Sequence, residues 1–120
     1  MNKNCVIYKT ADIVGKKWSL LILFELYRSN CREKRYTEIK VALPKITPKL
    51  LSMRLKELER DNLISKKIDT SSFPIKSTYK LTKAGEEFIE VAKALKSWSL
   101  KWSVRNDYCK KTECKFCDLK

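Results

Sequence analysis

TPKLLSMRLKELERDNLI, residues 47–64, carries the clearest helix grammar in the chain. Thr47 can cap the helix, and Pro48 takes the first helical position, where its missing N–H costs nothing. Leu51, Leu55 and Leu58 recur at intervals of four and three, which puts them on one buried stripe. Asn62 follows as a left-handed stop. At about 100° per residue, Lys49, Met53, Lys56 and Arg60 turn away from that stripe, with Ser52 beside them. An apolar back and a basic front suit a helix to lie in a groove of DNA.

Working outward, RYTEIKVALP (residues 35–44) reads as a short helix. Thr37 is its candidate cap, Ile39, Ala42 and Leu43 share a face, and Pro44 stops it. The turn from Pro44 to Ile46 has the length that lets one helix cross the next. Upstream, KKWSLLILFELYRS (residues 16–29) is apolar on nearly every side, so it belongs in the middle of a fold or at an interface. Thr10 can cap a short helix, Ala11 to Val14, that Gly15 interrupts.

Downstream the period changes. LISKKID is a short strand, and IKSTYKLT alternates, with Ile75, Ser77, Tyr79 and Leu81 on one side. The loop DTSSFP joins them into a hairpin that Lys66, Lys67, Lys76 and Lys80 make basic. Thr82 caps the last helix, where Ala84, Phe88, Val91, Leu95, Trp98 and Trp102 form a 3.5-residue seam. Two tryptophans so far along a terminal helix exceed what one small core buries, which favours a dimer interface. The expected fold class is mostly α with a small β-hairpin. It is a winged helix-turn-helix whose N- and C-terminal helices form a homodimer interface. Residues 1–106 are the DNA-binding and dimerisation domain, and residues 107–120 are a cysteine-rich tail.

Composition agrees. The chain has 120 residues, one domain by size, and is 43% hydrophobic. Two glycines and three prolines favour long helices. Lys and Arg number 27 against 14 Asp and Glu, a net charge of +13, which predicts a polyanion partner. The N-terminus lacks a signal-peptide core, and the longest apolar run, Leu20 to Phe24, is too short to span a bilayer. A soluble cytoplasmic protein with no membrane partner is expected. With no histidine, no glycine-rich phosphate loop and no paired carboxylates, an enzyme is not.

Three segments, GKKWSLLILFEL, RYTEIKVALPKITPKLLSMRLKELERDNLI and YKLTKAGEEF, resemble the HxlR-type winged-helix transcriptional regulators of bacteria and archaea. The signature is Trp18 after a Gly-Lys pair, then Ser52, Arg54, Leu55, Leu58 and Glu59, then Tyr79, Leu81, Thr82 and Gly85. The resemblance implies a homodimer on near-palindromic operator DNA, with the capped helix in the major groove. It also implies a redox or electrophile sensor at Cys5, a role known for some members. Lys45 and Asn62 stand where the family usually has glycine.

On this reading base edges fall to Lys49, Ser52, Met53 and Lys56, because Lys bonds guanine and Met packs on the thymine methyl. Phosphates fall to Lys45, Arg54 and the wing lysines Lys76 and Lys80, with Tyr36, Thr37 and Thr47 at helix starts. The alternative is a metal- or redox-binding dimer without specific operator binding.

The tail holds Cys109-x4-Cys114-x2-Cys117. This spacing suits zinc, and it also matches a plant-type iron–sulfur pattern. Either needs a fourth ligand, for which Cys5, Cys31 and Asp118 are candidates. A disulfide switch or staple, or idle thiols, are the other readings. Lysines 110, 111 and 115 favour thiolates. Cys31, between helices, is expected to be an inert core residue.

Overall fold

The computed structural model describes residues 2–28, 33–71, 73–103, 110–113 and 115. Expectations for Cys31, Cys109, Cys114, Cys117 and Asp118 lie outside these residues. The elements run α1 (Val6–Val14), α2 (Lys17–Arg28), β1 (Lys34–Arg35), α3 (Tyr36–Ala42), α4 (Pro48–Arg60), β2 (Ile64–Asp69), β3 (Lys76–Leu81) and α5 (Lys83–Trp102). This is the winged helix-turn-helix that the sequence predicts. Among the described residues no helix is long and apolar enough to cross a membrane.

Three local readings need correction. The first helix starts at Val6, with Cys5 as its N-cap residue, so Thr10 lies inside it. Asn2 closes the turn ahead of that helix, its carbonyl accepting the Cys5 N–H at 3.0 Å. Thr37 likewise lies inside α3, whose N-cap residue is Arg35. Glu38 reaches back to accept the Arg35 N–H at 3.0 Å, doing the capping that a hydroxyl was expected to do. Finally, the hairpin is part of a three-stranded antiparallel sheet in the order β1-β3-β2. β1 has two residues, too few to show an alternation, and its pairing with Thr78 and Tyr79 of β3 defines it.

The core lies behind α4. Leu51, Leu55 and Leu58 are buried against Ile22, Leu23 and Leu26 of α2, Ile39 of α3, Ile46 of the turn and Ile89 of α5. Tyr79, Leu81 and Ile64 close it from the sheet. Burying each such aliphatic side chain contributes roughly 1.5–3 kcal/mol before entropy is counted.

The end of α4 is set with care. Asn62 has φ 63°, the left-handed conformation expected of it. The Leu63 N–H reaches the Leu58 carbonyl and the Asn62 N–H the Glu59 carbonyl, both at 3.0 Å. This paired closure satisfies carbonyls that the helix end leaves open. Leu63 then meets the start of α5. Its carbonyl accepts the Thr82 N–H at 3.1 Å. The Thr82 hydroxyl donates to the Asn62 carbonyl at 2.7 Å and accepts the Gly85 N–H at 3.1 Å.

Gly85 fits here because it has no side chain. A Cβ added to it would stand 2.1 Å from the Leu63 carbonyl oxygen. In an open helix, glycine to alanine gains up to about 1 kcal/mol. Here the sign reverses, and Gly85→Ala should cost roughly 1–3 kcal/mol in urea denaturation. A stabilised variant would show that this junction is not packed as described.

Candidate nucleic-acid interface

α4 presents the front that its sequence predicts. Lys49, Ser52, Met53, Lys56 and Arg60 are exposed while Leu51, Leu55 and Leu58 are fully buried. Thr47 caps the helix, its hydroxyl accepting the Leu50 N–H at 3.2 Å, which satisfies one of the open donors at the helix start. Across the turn, the Tyr36 hydroxyl donates to the Pro48 carbonyl at 3.1 Å and ties the start of α3 to the start of α4. Lys45 is exposed in the turn itself, and Thr37 is exposed in the first turn of α3.

Arg54 has a different setting. Its side chain is largely covered, and Nη1 donates to Glu57 Oε1 at 2.6 Å. Lys16, just ahead of α2, binds the other oxygen of Glu57. The resulting Lys16–Glu57–Arg54 group joins the start of α2 to the back flank of α4. The Lys16 ammonium, and then the Arg54 guanidinium, hold the Glu57 carboxyl below the usual glutamate range, against the opposing effect of burial. Lys16 positions the helix, a role that sequence reading missed. The partners lie 41 residues apart, so no local spacing reveals them.

Register sorts the wing into two faces. Ile64 faces Leu81 and Lys66 faces Tyr79 on the core side. There the Lys66 ammonium stands 5.9 Å over the Tyr79 ring. The outer side carries Lys67 opposite Thr78, Lys80 opposite Ser65 and Lys76 opposite Asp69. Arg35 of β1, paired with Thr78 from the other edge, joins this outer row. Sequence reading missed Arg35 because only the third strand assigns it a face. Its neighbour Lys34 faces inward to Glu25 at 2.6 Å. Hydrogen bonds from Ser71, and more weakly the charge of Lys76, hold the Asp69 carboxyl below its usual range. At the tip Phe73 is 98% exposed.

Two further surfaces bear on assembly. On α5 the inward stripe is Gly85, Ile89 and Ala92, while Val91, Leu95, Trp98 and Trp102 lie open to solvent. Val6 and Ile7 of α1 are open as well. Cys5 is half-buried at the N-cap position of α1, where its side chain makes no capping hydrogen bond. Among the described residues no group of three or more Cys, Asp or Glu is placed to hold a metal.

The comparisons with known proteins agree with this geometry. The family model for the HxlR-like helix-turn-helix matches residues 13–107. The helix-turn-helix-type transcriptional regulator YdeP of Bacillus subtilis is 34% identical over 105 residues, which is 88% of this chain and 79% of YdeP. YdzF of the same organism is 37% identical over 92 residues, covering 76% of this chain and 81% of YdzF. Among solved structures, the reduced form of the regulator YodB from B. subtilis matches with a TM-score of 0.73 at 30% identity, covering 86% of this chain and 98% of that one. The redox regulator HypR in its oxidised form matches with a TM-score of 0.71 at 27% identity, over 85% of this chain and 99% of HypR.

The ion group behind α4 has a pH signature. A carboxyl lowered in the folded state stabilises the fold above the unfolded glutamate value, roughly pH 4.3. That contribution is lost as pH falls through the lowered folded value. Glu57→Gln should therefore cost roughly 1–3 kcal/mol at neutral pH. Its urea midpoint should fall less steeply than that of the parent below about pH 4.3. Parallel acid limbs would show that the group adds no net stability.

Proposed function

This chain belongs to the HxlR-like helix-turn-helix family, and from that premise we propose that it is a sequence-specific transcriptional regulator, not an enzyme. It works in the cytoplasm as a homodimer on near-palindromic operator DNA. One observation carries the reading. α4 sets an exposed row of Lys49, Ser52, Met53 and Lys56 directly above a fully buried leucine stripe. A helix held so firmly from behind can enter the major groove without losing its shape.

In the groove, Lys49 and Lys56 bond guanine edges, Met53 packs on a thymine methyl and Ser52 bonds either. The backbone is gripped on two sides. The outer wing row of Arg35, Lys67, Lys76 and Lys80 meets one phosphate run. Lys45, Thr37 and the N-terminal turn at Thr47 meet the other, while Arg54, covered and bound to Glu57, serves the fold instead. Lys80, with only Ser65 across the strands, is freer to act than Lys76, which faces Asp69.

The open stripe of α5 and the open residues of α1 pair with a second copy. Trp98 is 60% and Trp102 70% exposed in the single chain, an arrangement that a partner helix relieves. A two-fold axis there sets half-sites about one helical turn apart. Residues 1–106 carry these roles, and residues 107–120 form an appended cysteine-rich tail. The regulator answers to thiol chemistry through Cys5 or the tail cysteines, a reading supported by its likeness to the redox regulator HypR.

Selection from random duplexes, followed by footprinting, should yield a protected two-fold site. Lys49→Ala should relax base preference at one position of each half-site, costing roughly 1–3 kcal/mol there. Lys80→Ala should weaken every sequence alike and reduce the salt slope by about one. If both variants act equally on specific and random DNA, the division of labour is wrong. Trp98→Glu should turn a dimer into a folded monomer by sedimentation velocity. A wild-type chain that sediments as a monomer at micromolar concentration would overturn the dimer.

A further inference from the structure

Between α2 and α3 lies a groove that the roles given so far to the base-reading row, the wing and the open stripe of α5 do not use. It encloses about 1020 Å³, the upper end of the range for small-molecule sites. Trp18, Leu21 and Phe24, at helical spacing on α2, form one wall. Val41 of α3 and Leu43 and Pro44 of the turn after it form the other. Leu21 is 37% and Val41 78% exposed, so both walls present apolar surface to the solvent.

The charge of this groove is uneven. Glu25 is buried and engaged by Lys34 at 2.6 Å and by Arg28 at 3.3 Å. Glu38 accepts the Arg35 N–H. Lys17 and Lys45 are exposed, and among the described residues neither has a carboxylate within ion-pair distance. Four cations and two carboxylates line the groove, which leaves it two positive charges in excess. The Lys17 ammonium stands 5.0 Å over the Trp18 ring, so a cation and an aromatic plane meet at one place on the wall.

We propose that this groove binds a small aromatic carboxylate, with its ring against Trp18, Leu21 and Val41 and its anion on Lys17 and Lys45. A flat ring covers the open apolar walls, and the carboxylate supplies the partner that these two cations lack. A neutral arene leaves both ammonium groups as they are, and an amine is repelled by them. The consequence for DNA rests on the operator reading given above. Lys45 stands in the turn that leads into α4, where that reading places a phosphate contact. Ligand carboxylate and DNA phosphate then compete for one ammonium, so the aryl acid weakens binding to duplexes of any sequence. By linkage, duplex weakens binding of the acid by the same factor.

The first test uses the full chain without DNA. 2-Naphthoate, followed by NMR, should shift the Trp18 indole N–H, identified by its loss in Trp18→Phe, with a Kd of roughly 0.1–1 mM. 2-Naphthylmethylamine, the same ring with the opposite charge, should bind at least about 10-fold more weakly. Val41→Glu should abolish naphthoate binding, and it spares the fold because the site is exposed and Glu is the better helix former. Lys17→Gln and Lys45→Gln should each weaken binding about 3- to 5-fold. At saturating naphthoate, affinity for a random duplex should fall by about the same 3- to 5-fold in the parent and not at all in Lys45→Gln. Equal binding of acid and amine, shifts at Trp98 or Trp102 in place of Trp18, or binding that survives Val41→Glu would each overturn the site. A dimer that Val41→Glu splits into monomers would put a second copy in the groove and overturn it too. Naphthoate bound with duplex affinity unchanged would overturn the competition for Lys45. A chain that binds no duplex overturns the operator reading instead, and the DNA-free titration still decides the site.

Discussion

The carbonyl of Leu63 is the point on which the rest of the structure turns. It accepts the Thr82 N–H, and the bare Cα of Gly85 lies against it. Leu63 ends the closure of α4, opens into β2, and through Thr82 meets the end of β3 and the start of α5. One peptide unit therefore fixes the wing and the terminal helix relative to the helix that faces outward. Two residue choices make this possible. Asn62 tolerates φ 63°, so the chain can reverse straight after α4. Gly85 lets α5 begin in contact with that reversal, where any Cβ would collide with backbone. Thr82 supplies both a donor and an acceptor, so no polar group at the crossing is left open.

Charge is divided between structure and surface. Lys16 and Arg54 share Glu57 behind α4, and Lys34 and Arg28 approach Glu25 where α2 meets β1. These groups are partly covered, so their geometry matters more than their count. They hold the helices at fixed angles. Lys45, Lys49, Lys56, Lys67 and Lys80 stay exposed on α4, on the turn before it and on the wing. These exposed cations give the helix and the wing a positive outer surface, which favours approach to a polyanion.

α5 shows how one helix serves two packing tasks. Gly85, Ile89 and Ala92 face the domain, and small residues at two of these positions let the helix sit close. Val91, Leu95, Trp98 and Trp102 form a second stripe that the domain does not cover. Glu113 meets Tyr27 of α2 and Lys93 of α5. Thr112 and Glu113 are thereby tied to these two helices.

Much was legible from the residues alone. The cap at Thr47, the leucine stripe, the left-handed Asn62, the strand alternation and the Thr82 cap are all local. Each depends on a spacing of a few residues, and local chemistry settles it. The winged helix-turn-helix follows from their order. The rest was decided by contacts between distant segments. β1 is a strand because β3 pairs with it, Arg35 gains an outward face from that pairing, and Thr37 yields the cap of α3 to Arg35 and Glu38. Arg54 and Lys16 meet through Glu57 across 41 residues of chain. A periodic pattern shows which face of an element is buried, but not what it is buried against. A charge pair or a clamp such as Tyr27–Glu113 leaves no period at all. Such contacts exist only once the core has brought their elements together, so only the tertiary structure decides them.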